Sequence, residues 1–423
     1  MFTLVPEDAR VSSDDPRPAR LLSTSDAVVV GLGAMIGAGI FVAPGLAAAV
    51  AGPWLLLGLA IAAAVAFCNA AASAQLAAQY PTSGGTYVYG RERLGPWWGF
   101  LAGWSFVIGK TASCAAMALT AATYLVPAGW QRPVAVAVVV AITAVNCAGV
   151  TRTARVARVV VVLVLVVLAV VVVGGFAGPV AASGQVAAGP YGVLQAAGLL
   201  FFAFAGYARV ATLGEEVRDP RRAIPRAIGI ALTIAVALYA LVTVAALHAL
   251  GPAGLAASPT PLADVAVARF GEGIRPVVAV GGGLAAVGAL LALVAGVGRT
   301  VLAMAREGDL PRPLAAVHPR FRVPHRAELA VGTVVAVLVA TTDLRGVIGF
   351  SSFGVLLYYL VANLAAYTQE PGYRRYPRAL QVAGALGCAL LVVTLPPPAV
   401  LTGAGVLAVG IGFRQVGRWG AVR

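Results

Sequence analysis

The sequence predicts an all-α polytopic membrane protein of about twelve transmembrane helices, and three observations carry that prediction. Sixty per cent of the 423 residues are hydrophobic, only 11% are charged, and the mean hydropathy is +0.91; a soluble domain carries about 25% charged residues. The apolar residues gather into blocks close to the length, about 20 residues, that a hydrocarbon core requires. The arginines sit in every second connection between those blocks, which is the positive-inside pattern.

In chain order, residues 1–26 are polar, contain Pro6, Pro16 and Pro18, and read as a tail without a cleavable signal peptide. The apolar blocks then fall near 27–50, 53–78, 96–126, 133–150, 156–177, 192–213, 224–250, 275–303, 328–342, 346–367, 379–395 and 398–413. The last two are short and are separated only by Pro396-Pro397-Pro398. In the connections and at the block ends, 23 arginines lie on one side, against Arg132, Arg269, Arg275 and Arg345 on the other. This asymmetry places both termini in the cytoplasm and accounts for the net charge of +14 as a topology signal, so no nucleic-acid partner is implied. Cys68, Cys114, Cys147 and Cys388 all lie within apolar blocks and read as small packing residues. The three histidines do not converge with other ligands, so neither a metal site nor a cofactor is expected.

The first block is weakened from within. "GLGAMIGAGIFVAPG" (Gly31 to Gly45) contains five glycines and a proline, and each glycine costs a helix about 1 kcal/mol relative to alanine. Backbone that leaves the helix at membrane depth is tolerated only where protein buries it or a watery cavity solvates it. Gly37-Ala38-Gly39 therefore reads as a break with N–H groups free for a ligand, and a half-helix starting near Ile40 adds a positive dipole end. Close helix packing through Gly33-x-x-x-Gly37 is the competing reading. The sixth block has its own weak point: "LLFFAFAGYARVATLGEEVRDP" (Leu199 to Pro220) crowds Phe201, Phe202, Phe204 and Tyr207 around Gly206. Paired glycine-interrupted segments in two halves of a chain point to a transporter's binding site.

These segments, with "PTSGGTYVYGRERLGPWWGFLAGW" (Pro81 to Trp104) and "RTVLAMAREGDLP" (Arg299 to Pro311), resemble the signature segments of the amino acid–polyamine–organocation permeases over residues 21–413. The resemblance implies the leucine-transporter fold, with a 5+5 inverted repeat and two C-terminal helices. The expected division is a tail at 1–26, a first five-helix repeat at 27–177 broken near 37–39, a second at 178–367 broken near 203–206, two further helices at 368–413, and a C-terminal tail at 414–423. In that family the substrate carboxylate takes amides that map to Ala38 and Gly39. The ammonium takes carbonyls that map to Met35, Phe202 and Ala205, and the aromatic gate maps to Phe202. Ile36, Gly37 and Ala203 complete the expected binding set.

The physics fits a zwitterion, because orphan N–H groups at one helix end and orphan C=O groups at another supply both signs without a buried side-chain charge. On the arginine-rich side, Arg209 and Arg299 fall inside apolar blocks, and one or the other is expected to pair with Glu215 or Glu216, closing the cytoplasmic exit in the outward-open state; snorkelling toward the interface is the competing reading. Two departures bear on coupling. The eighth block, "GGGLAAVGALLALVAGVG" (Gly281 to Gly298), has no Ser, Thr, Asp or Glu, so it offers a hard cation few oxygens beyond carbonyls. The fifth block has no lysine, and the chain's single lysine, Lys110, lies near the middle of the third. A lysine at that depth costs at least about 2.5–3.5 kcal/mol on insertion scales, which marks Lys110 as the coupling candidate: it carries the coupled proton, or its fixed charge stands in for sodium and holds the third helix against the carbonyl ends of the first or sixth; a structural lysine bonded to carbonyls is the alternative.

The expectation is a secondary active transporter of amino acids in the cell membrane, proton-coupled and working by alternating access. Amino acid exchange, polyamine or organic-cation transport, and an amino acid sensor without net transport are the alternatives. A membrane-embedded enzyme is disfavoured, since the blocks carry no acid near their centres.

Overall fold

The computed structural model describes residues 22–82, 84–149, 154–181, 184 and 186–420. The expected tail residues 1–21 and the end of the chain from 421 lie outside them. Every regular element among the described residues is helical.

The first span begins earlier than the apolar pattern suggests. Ser23 caps α1 (Thr24–Met35) by accepting from the Asp26 N–H, while Asp26 accepts from the Ser23 N–H, a reciprocal box that starts the helix inside the expected tail. Just before it, Leu22 pairs with Val217 as an isolated parallel bridge: Leu22 N–H donates to Glu216 O (3.0 Å) and Arg218 N–H to Leu22 O (2.9 Å). Asp26 also pairs with Arg158 at 2.7 Å.

Then come α2 (Ala38–Ala51), α3 (Leu55–Gln79), α4 (Gly85–Leu94), α5 (Pro96–Leu125), α6 (Gln131–Cys147), α7 (Ala154–Phe176), α8 (Pro190–Phe204) and α9 (Ala208–Ala211). The chain continues through α10 (Pro220–Ala257), α11 (Pro261–Phe270), α12 (Arg275–Arg306), α13 (His325–Thr341), α14 (Leu344–Tyr367), α15 (Arg378–Thr394) and α16 (Pro397–Gly420). Nine stretches among the described residues are long and apolar enough to cross a membrane; α1 and α15 are shorter apolar helices. One of the nine runs from Ala38 to Gln79, because only the 3-10 turn Gly52–Trp54 separates α2 from α3.

Three differences from the sequence pattern have local causes. Helices α4 and α11 are not apolar blocks, yet both form: α4 packs on α5, and α11 has Pro261 at its first position, where the missing N–H costs nothing. Helix α10 is bent where Gly251 takes a φ of 65°, a conformation open to glycine, just before Pro252. The last helix runs to Gly420 rather than giving way to a tail at 414, because Arg414 is buried against α5.

The core is centred on α5, nearly all of whose residues are buried. It is clamped by α12 and by α14, whose Gly354 lets the backbone of Gly109 approach directly. Around that axis lie α1, α2, α8 and α9, which carry the site.

Candidate functional site

Both weak points are breaks in the helices. α1 ends at Met35 and α2 starts at Ala38, leaving Ile36 and Gly37 outside helical geometry. No side chain among the described residues caps the N-terminus of α2. α8 ends at Phe204 and passes through the 3-10 turn Ala205–Tyr207 into the short α9. The two breaks touch. A Cβ on Gly206 would lie 2.3 Å from Ala34 O, and one on Gly39 would lie 2.7 Å from Ala203 Cα, so glycine is what allows each contact.

The carbonyls freed by these breaks have partners. The Tyr239 hydroxyl lies 2.6 Å from Met35 O and 3.0 Å from Ala203 O, bridging one break to the other. Ala205 O accepts from Lys110 Nζ (3.0 Å) and from the Tyr359 hydroxyl (3.3 Å). Lys110 is 6% exposed. These tyrosines are separated from the breaks by long stretches of chain, and no local pattern marks them.

A cavity of about 370 Å³ opens beside the breaks. Ile36, Ala205, Gly206 and Lys110 line its deep part with Phe106, Met117 and Val164; Arg209, Glu216, Arg299 and Thr300 line its mouth. Of the expected binding set, the structure brings Ile36 and Ala205 to the cavity wall. Met35, Gly37, Ala38, Gly39, Phe202 and Ala203 are buried around the breaks, outside the lining. Beyond the first break, outside the lining, Phe41 and Tyr124 meet edge to face at 5.5 Å as two buried rings, and the Tyr124 hydroxyl donates to Phe41 O at 2.8 Å.

At the mouth, Arg299 Nη1 lies 3.8 Å from Glu216 Oε1, with both side chains well exposed. Arg209 donates to the Thr212 hydroxyl at 3.1 Å, and Glu215 is exposed. Next to the mouth is a tighter ionic cluster. Buried Asp309 accepts from Tyr87 (2.9 Å) and Arg91 (3.2 Å) and lies 3.0 Å from Arg414 Nε. The Arg414 guanidinium also covers the rings of Trp97 and Phe100. Burial, and then the Asp309 carboxylate, push the Tyr87 phenol far above its usual range, so it stays a donor at physiological pH. One buried acid escapes the sequence pattern: Glu328, 2% exposed in the first turn of α13, packs on Gly298, and its Oε2 has no hydrogen-bond partner among the described residues.

An all-helical bundle with apolar spans, and two interrupted helices meeting beside a cavity, fits a multi-pass membrane protein of the transporter class. Residues 22–411 match the amino acid permease family, and the chain belongs to it. It is 58% identical to an uncharacterized transporter of Mycobacterium tuberculosis over 98% of this chain and 94% of the relative. It is 31% identical to cationic amino acid transporter 4 of Homo sapiens over 80% of this chain and 58% of the relative. It is 27% identical to the branched-chain amino acid permease BcaP of Bacillus subtilis over 86% and 84%.

Proposed function

We propose that the protein is a secondary active transporter that carries amino acids across the cell membrane by alternating access, coupled to protons. The observation that carries this reading is the meeting of the two helix breaks beside a cavity. In it, 27–177 and 178–367 are the two five-helix repeats, and both termini face the cytoplasm. The mouth at Arg209, Glu216 and Arg299 is then cytoplasmic, and the form described is inward-facing, with the outer side shut by Phe41 and Tyr124.

The uncapped amides of Ala38 and Gly39 receive the substrate carboxylate, and the carbonyls of Met35, Phe202 and Ala205 receive the ammonium. A carbonyl has two lone pairs, so Met35 O can hold Tyr239 and a ligand together, whereas Ala205 O, already taken by Lys110 and Tyr359, must release one of them. That exchange makes Lys110 the coupling residue: its ammonium leaves or keeps Ala205 according to what occupies the cavity. Phe202 serves as the aromatic gate, and Arg209, Arg299, Glu215 and Glu216 as the cytoplasmic one. Sodium is disfavoured because the stretch of α12 from Gly281 to Gly298 carries no side-chain oxygen. The relatives' names point to both cationic and branched-chain substrates, so they do not choose a side chain.

Accumulation of radiolabelled amino acids in proteoliposomes under an imposed pH gradient tests this reading. Uptake is expected without sodium, and Lys110→Met is expected to abolish its pH dependence while the protein stays folded. A steep sodium requirement, or wild-type uptake with an unaltered pH profile in Lys110→Met, overturns the coupling. Binding without uptake makes the protein a sensor.

A further inference from the structure

The walls of the cavity carry an uneven charge. Lys110 lies at its depth and Arg209 and Arg299 toward its mouth, while Glu216 is the one acid among its described lining residues and is spent on Arg299. The rest of the deep lining is apolar, from Ile36, Phe106, Met117 and Val164. Acceptors are equally scarce. Ala205 O already serves Lys110 and Tyr359, and Met35 O and Ala203 O share the Tyr239 hydroxyl.

From this we infer that the cavity admits amino acids with neutral or acidic side chains and rejects cationic ones, and that Lys110 is the residue that sets this choice. The inference rests on reading the cavity as the amino acid site. The α-ammonium common to all amino acids takes the acceptor capacity left at the breaks. A second cation, on a lysine or arginine side chain, would be desolvated beside Lys110 and Arg209 with no carboxylate to meet it. A buried charge without a partner is one of the devices by which a site rejects a competing ligand. An apolar side chain meets Ile36, Phe106 and Met117 instead, and an acidic one finds the guanidinium of Arg209. Lys110 stands on the clamped axis of α5 beside Gly109, so its ammonium stays at the cavity wall whether or not it holds Ala205 O.

The experiment is a thermal-shift titration of the purified full-length protein with leucine, alanine, glutamate, lysine and arginine, repeated in Lys110→Met and Lys110→Glu. Ligands that bind the folded state raise its melting temperature by mass action. Wild-type protein is expected to respond to leucine, alanine or glutamate and to show at least tenfold weaker affinity for arginine and lysine. Lys110→Glu should reverse that order, and Lys110→Met should narrow it to within a few-fold. Arginine or lysine binding to the wild type as tightly as the best neutral or acidic ligand overturns the inference, even if neither variant folds. An unchanged ranking in a folded Lys110→Glu protein overturns the role of Lys110. No response to any amino acid would instead strike the proposed amino acid site itself, and this inference with it.

Discussion

The two breaks are built from opposite materials. In the first, Ile36 and Gly37 leave the helix outright, and α2 restarts with no side chain capping its amides. In the second, the chain only tightens into a 3-10 turn, and the released carbonyl of Ala205 is held by Lys110 and Tyr359. One break leaves its donors without a side-chain cap, and the other has its acceptor occupied. The contrast teaches that the two breaks are not a symmetric pair of frayed helix ends: under the proposed reading, a ligand would find N–H groups without a side-chain cap on one side and would compete for C=O groups on the other.

The sharpest way to break this arrangement is to separate the two breaks. Gly206→Val places a Cβ where Ala34 O lies 2.3 Å away, with backbone that cannot give way. Overpacking of this kind costs about 1–3 kcal/mol in ordinary cores and more against backbone, so the folded yield in detergent should collapse. A monodisperse, ligand-binding Gly206→Val protein would show that the breaks do not need their contact.

Next in size is the cluster beside the mouth. Asp309→Asn keeps the shape but leaves Arg414 and Arg91 facing a neutral amide, and breaking a buried ion pair costs about 3–5 kcal/mol. A large fall in melting temperature is expected, whereas Glu216→Gln should leave it almost unmoved. The Arg299–Glu216 pair is exposed and 3.8 Å apart, and such pairs contribute about 0–1 kcal/mol. Equal effects of the two substitutions would mean that the mouth pair is buried in the state that dominates in solution.

The comparison between the breaks is tested most directly by two tyrosines. Tyr239→Phe removes the hydroxyl that reaches both Met35 O and Ala203 O, and stranding buried acceptors costs about 1–3 kcal/mol. Tyr359→Phe leaves Ala205 O still bound to Lys110, so a loss of about 0.5–1.5 kcal/mol is expected. Chemical denaturation in micelles should rank Tyr239→Phe below Tyr359→Phe; the reverse order would make Tyr359, not Lys110, the main partner of Ala205.

The fold class was open to sequence reasoning because the bilayer imposes a length and a polarity that any chain must obey, and the blocks from 27 to 413 obey them. The glycines at 37, 39 and 206 were visible because they are costly in a helix, and the helices stop beside them. What the glycines face was not visible. Gly39 lies on Ala203 and Gly206 on Ala34, contacts across more than 160 residues of chain that no local pattern encodes. The same holds for Tyr239 and Tyr359, ordinary aromatic residues in apolar helices until the carbonyls they cap are known. Helices α4 and α11 escaped because neither is apolar enough to read as a span, and Glu328 because it sits in the first turn of α13, where an acid is unremarkable.

The short bridge between Leu22 and Val217 has a mechanical meaning. α1 is a rod with a joint at Ile36–Gly37 and a clasp at its other end, made of two backbone hydrogen bonds to the segment that trails α9. A rod fastened at both ends cannot swing alone. It either carries the chain after the second break with it, or it opens the clasp, at about 0.5–1.5 kcal/mol for each bond. The first course makes the two half-helices one moving part; the second turns the chain's entry into the bundle into a catch, released whenever α1 tilts away from the cavity.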